Sequence, residues 1–151
     1  MHCAVPITPT SFITIHGDKI NEFDAAIAGP TSNEGWREPG RWETLKTSRS
    51  SYPGCAKIGN KVIIAGGYDR SAKETLQSTE VLDITTRSTS AGRDLASPRR
   101  NFNLATIRSG GRDKIFAVSG TDRTVEESST WKEADSYVGT VALPEDIICK
   151  V

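Results

Sequence analysis

Three places in the chain set an acid and a base just behind a glycine. "FITIHGDK", "VIIAGGYDR" and "IFAVSGTDR" stop on Gly17, Gly67 and Gly120, and Asp18-Lys19, Asp69-Arg70 and Asp122-Arg123 follow. An aspartate in such a turn accepts hydrogen bonds from nearby backbone amides. An arginine beside it carries a planar guanidinium suited to gripping carboxylate or phosphate through two parallel bonds. Catalytic chemistry is harder to assemble. The two histidines, His2 and His16, sit in no recognisable motif, and a Ser-His-Asp or Cys-His arrangement needs a histidine beside a nucleophile. A zinc site needs three or four nitrogen or sulfur ligands, and the His and Cys residues here are scattered. "GPTSNEG" (29–35) lacks the lysine and the spacing of a phosphate loop. It reads as a long surface loop with Trp36 tucked under it. No catalytic residue, metal or cofactor is expected.

Composition narrows the classes further. The chain has 151 residues, the size of one domain. With glycine counted and tyrosine left out, its apolar share is about 42%, close to the globular range of about 45–50%. Nineteen basic residues balance nineteen acidic ones. A nucleic-acid binder or a polybasic membrane-surface protein would carry a clear basic excess, so neither partner is expected. "RSGGRDK" (108–114) is basic and glycine-rich, but a hairpin turn accounts for it. No apolar run approaches the ~18–20 residues that cross a bilayer, and the opening "MHCAVPITPTSFITI" has no basic start and is broken by Pro6 and Pro9. Cys3, Cys55 and Cys149 form no C-x-x-C pair. An odd, sparse set fits reduced thiols in the cytoplasm better than a disulfide framework.

The glycine stops recur at gaps of 50 and 53 residues, and the material around them recurs too. "INEFD" (20–24) answers "STEVLDI" (78–84), and "RWETLKTSR" (41–49) answers "STSAGRDLASPR" (88–99). The third unit is compressed into "VEESSTWKEAD" (125–135), and "SYVGTVALPEDIICKV" (136–151) overlays "SYPGCAKIGNKVIIAG" (51–66) without a gap. Each unit reads as four short strands, in the clearest case 51–58, 61–67, 78–84 and 88–93. Val62 to Ala65 is apolar on both faces, the pattern of a strand covered on both sides. The alternation over 79–84 suits a strand nearer the rim. Residues 70–77 are placed in a loop. The repeats run over about 3–45, 49–94 and 99–135, with 136–151 opening a fourth, all in one domain. Of the two positions in each stop, the second is glycine every time, so that position is expected to be the one that demands glycine.

A ~50-residue unit of four strands marked by a glycine pair resembles a kelch repeat. The resemblance rests on Arg49, Gly66, Gly67, Tyr68, Asp69, Glu80, Val81, Asp83, Leu95 and Arg99. The family's usual tryptophan is here Thr89, with Trp42 and Trp131 near that place in the neighbouring units, and the other two glycine pairs have become His16-Gly17 and Ser119-Gly120. The implied fold is all-β: a partial kelch-type β-propeller of four-stranded antiparallel blades. In such domains the loops after the second strand and between blades look out on one face that grips partners. That places Arg70 and Arg123 on the first loop type and Arg49, Arg99 and Arg100 on the second, with Tyr68 as an aromatic anchor. The implied function is a non-catalytic protein-interaction scaffold that binds an acidic peptide segment. The alternative is an enzyme of the kelch-containing copper oxidase or sugar-processing class. About three and a half units fall short of the ~4–8 blades of a closed ring. A piece of a longer protein is the first expectation, then self-association or a second chain that completes the ring, then a stand-alone arc.

Overall fold

The computed structural model describes residues 3–28, 34–109, 111–118, 120, 125–129 and 138–141, the last two segments as backbone. The described residues are all-β, in antiparallel sheets, with no helix long and apolar enough to cross a membrane. The first sheet joins β1 (Cys3–Pro6), β2 (Ser11–His16) and β3 (Lys19–Asp24) in the order β1-β2-β3. The middle sheet takes β4 (Gly54–Ile58), β5 (Lys61–Ala65), β8 (Thr79–Asp83) and β9 (Thr89–Ala91), in the order β4-β5-β8-β9. Between β5 and β8 a two-stranded ribbon, β6 (Tyr68–Asp69) and β7 (Glu74–Thr75), folds out as a separate hairpin. The third sheet runs β10 (Asn103–Ser109), β11 (Arg112–Val118), β12 (Val125–Ser129) and β13 (Val138–Val141) in that order.

The sheets stack with the middle one between the other two. β4 packs against both β1 and β10, so the first strands of the three sheets lie side by side. The β5 sequence explains this placement. Val62 and Ile64 point to one face and join a core with Val5, Ile13, Ile15, Ile20 and Trp42 of the first unit. Ile63 points to the other and meets Ile115 of the third sheet, with Ala56 and Val81. The run that lacks alternation is the strand covered on both sides. The tight link between β4 and β5 is Gly59-Asn60, with Gly59 at φ +54°.

Four expectations change. The 41–49 stretch is not a fourth strand. It crosses from the first sheet to the middle one, with Leu45 N–H donating to Asp18 O and Glu43 N–H to Arg87 O. Residues 35–37 border β3 instead: Asp24 N–H donates to Gly35 O, and Arg37 N–H to Glu22 O. Trp36 is not tucked away. It stands 44% exposed against Phe12 and Phe23, with ring centroids 6.2 Å and 5.3 Å apart. Residues 138–141 pair with β12 as the last strand of the third sheet rather than opening a fourth, and 142–151 lie outside the described residues. Finally, β8 alternates in sequence but is buried from Thr79 through Leu82, because Thr79 and Glu80 find partners inside the fold.

The cysteines also depart from expectation. Cys3 on β1 and Cys55 on β4 are joined by a disulfide, with Cα atoms 6.0 Å apart. That separation lies within the span a disulfide bridges. The sequence hid the pair because its members sit 52 residues apart and meet only when the first strands of two sheets come together.

Candidate functional site

Five arginines and one tyrosine carried the expectation of a binding face, and their placements divide. Arg49 and Arg99 are fully buried. Their placement on an exposed gripping face is corrected: both end the spacing Leu-x-x-x-Arg, with Leu45 and Leu95 also buried, and both turn inward. Arg49 Nη1 donates to Gly66 O at 2.8 Å and Ser78 O at 2.9 Å, and Nη2 donates to Ser78 Oγ at 3.2 Å. Nη2 also meets Glu80 Oε1 at 3.2 Å, with both side chains out of solvent. Burial pulls the Arg49 guanidinium below its ordinary value, and the Glu80 carboxylate opposes that. Glu80 in turn accepts from Lys46 N–H and Thr47 N–H at 2.7 Å and 3.1 Å. Arg49 N–H donates to Gly17 O, so one residue ties the first glycine stop to the second. Arg99, one unit on, also crosses a glycine stop: Gly67 N–H donates to its carbonyl, and its own N–H donates to Leu76 O.

The glycine stop exists to admit this crossing chain. A Cβ on Gly66 would lie 2.5 Å from Arg99 O, and one on Gly67 3.1 Å from Ser51 O. Gly66 and Gly67 both have positive φ, at +57° and +97°. The expectation that only the second position demands glycine therefore fails in the middle unit, where the first is the tighter of the two.

Arg70 is exposed, and Tyr68 and Arg100 are half-buried. Tyr68 opens the β6–β7 ribbon, and its N–H donates to Ser51 O at 2.8 Å. The Arg100 guanidinium lies over the Tyr68 ring, 4.9 Å from its centroid. Arg70 is exposed on the ribbon's turn. Asp69 Oδ1 accepts from Ser71 N–H at 2.8 Å and Ala72 N–H at 3.2 Å, which is the turn-amide role read from the sequence. Arg123 lies outside the described residues.

Two residues that the site reading missed adjoin this cluster. Tyr52 follows Ser51, which Tyr68 contacts, and Asn101 follows Arg100. Both hold positive φ, +59° and +57°. For a tyrosine this is a strained backbone, and the proline after it disfavours helical conformations too. Such outliers cost on the order of 1–3 kcal/mol and gather at functional sites. Both line a cavity of about 320 Å³ where β1, β4 and β10 converge, with Cys3, Cys55, Phe102 and Asn103 on its wall. Tyr52 was legible only as a repeat marker, in the Ser-Tyr-x-Gly shared by 51–54 and 136–139. Asn101 offered the usual tolerance of asparagine for the left-handed region. Among the described residues no three His, Cys, Asp or Glu side chains converge as a metal site. No protein-family model matches the chain, and no curated protein matches it at a significant level.

Proposed function

We propose that the chain is a non-catalytic protein-interaction module: a partial β-propeller of kelch type whose inter-repeat loops hold an acidic segment of a partner protein. The side-by-side first strands and the recurrence of the buried Arg49 and Arg99 at successive sheet junctions support the propeller reading. The observation that carries the binding role is the Arg100–Tyr68 stack. A guanidinium already laid on an aromatic face has lost much of its freedom before it meets a carboxylate, which lowers the ordering cost of binding. Arg70 adds an exposed guanidinium to the half-buried Arg100, and Tyr52 and Asn101 frame the cavity beside them. Completion of a ring by a second copy belongs to the same reading, with the outward face of the first sheet as the surface it would cover. The cytoplasmic placement drawn from unpaired thiols loses that basis, since Cys3 and Cys55 pair.

A fluorescein-labelled glutamate-rich peptide tests the proposal by anisotropy. The parent should bind it with an affinity that falls as salt rises. The joint Arg70→Ala, Arg100→Ala variant should bind about tenfold more weakly or worse, since hydrogen bonds to charged groups contribute about 1.5–3 kcal/mol each. Arg108→Ala, an exposed arginine on β10, should bind as the parent does. No binding by the parent, or equal binding by the joint variant, sinks the reading.

A further inference from the structure

The Cys3–Cys55 bridge stands on the wall of a cavity, not in the middle of the core. Cys3 is 6% exposed and belongs to the apolar cluster of Val5, Ile7, Ile13 and Ile15. Cys55 is only partly buried against that cluster. Both line the cavity of about 320 Å³ that Tyr52 and Asn101 frame. The space is large enough for a small molecule and opens beside residues held in strained backbone. β1 is the edge strand of its sheet, with β2 its one strand partner among the described residues, so the bridge is the covalent link between the first sheet and β4.

We propose that Cys55 is a thiol-exchange modification site for a low-molecular-weight thiol of the glutathione class, entered through this cavity and independent of what the loop face binds. Exchange begins with a thiolate attacking one sulfur of a disulfide, and access decides which sulfur is attacked. Cys55 is the more accessible. The incoming thiolate bonds to Cys55 Sγ, the bond between Cys55 and Cys3 breaks, and its electron pair leaves on Cys3 Sγ, which takes a proton from solvent. The products are a mixed disulfide on Cys55 and a neutral Cys3 thiol. Apolar surroundings favour the thiol over the thiolate, so Cys3 is slow to attack back and the adduct persists. The adduct fills the cavity and frees β1 from β4.

The test uses the full chain with Cys149→Ser, which leaves the pair as its only cysteines. Purified without reductant, it should take up no maleimide. Incubated with reduced glutathione, it should gain one glutathionyl group, mapped by peptide mass to Cys55, with Cys3 alkylated once the chain is denatured. Tm should fall by several degrees as the crosslink opens. The variant Cys3→Ser, Cys149→Ser, exposed to glutathione disulfide, should carry the same adduct on Cys55. Two free thiols at the outset, an adduct on Cys3, or full reduction with no lasting adduct each overturns the proposal.

Discussion

The first and middle sheets are built from the same kinds of strand but differ in how many faces they hide. In β2, Ser11, Ile13 and Ile15 are buried while Phe12 and Thr14 are half-buried and His16 is exposed. In β5, every residue from Val62 to Ala65 is buried. Alternation in a strand therefore reports one covered face, and its loss reports two. The seam between the sheets differs again. It holds a buried ion pair, Arg49 with Glu80, and backbone bonds through the glycine stop, where apolar packing alone would leave strand ends unsatisfied.

The largest test of that seam is Arg49→Ala. Removing it leaves the buried Glu80 carboxylate without its cation, held by the Lys46 and Thr47 amides, and takes a charged donor from the carbonyls of Gly66 and Ser78. Breaking a buried pair from one side costs about 3–5 kcal/mol. Arg70→Ala, on an exposed turn, should change stability by no more than about 0.5 kcal/mol. Urea unfolding of both variants checks this. Equal, small effects would mean that the seam is held by packing alone. A slightly smaller effect is expected where the two sheets differ in cover. Ile64→Ala, on the doubly covered strand and fully buried, should cost about 2–5 kcal/mol. Thr14→Ala, on the outward row of the first sheet, should cost about 0.5 kcal/mol or less. A large loss at Thr14 in the same measurement would show that another surface covers that row.

What the sequence revealed follows the range of the interactions involved. The four main strands of the middle unit were legible to within about three residues at each end, because β-pattern and turn chemistry at Gly59-Asn60 and Asp69 are local, while β7 fell within residues 70–77 that read as a loop. The burial of Arg49 was not. Its type and its place before a strand say surface, and burial becomes affordable through the carboxylate of Glu80, 31 residues on, and the oxygens of Gly66 and Ser78. The same holds for Cys3 and Cys55. The missing fourth strand of the first sheet was misread because "RWETLKTSR" has strand-like composition while its amides bond to Asp18 and Arg87 on two different sheets. Of the proposed binding face, Arg70 and Arg100 were legible as loop residues, while Tyr68 belongs to β6. Tyr52 and Asn101 needed backbone angles that composition does not report.

The smallest effect concerns the strand ends, where the two sheets are alike. Asp24, at the end of β3, accepts from Ala26 N–H and pairs with Arg37. The amide bond and then Arg37 hold its carboxyl below the ordinary 3.8. Asp83, at the end of β8, accepts from Thr86 and Thr85 N–H, and the Thr86 amide first of all lowers it from 3.8. A carboxylate whose folded pKa is depressed contributes stability that is complete above its unfolded value and is lost as pH falls through the folded one. Both sheets should therefore hold steady from neutral pH down to about 4 and weaken below it. Asp24→Asn and Asp83→Asn should each flatten the acid limb of a stability–pH curve, and to a similar degree. If only Asp83→Asn flattened it, the two turns would differ although Asp24 is the more buried of the pair, and the contrast between the sheets would not be one of burial at their strand ends.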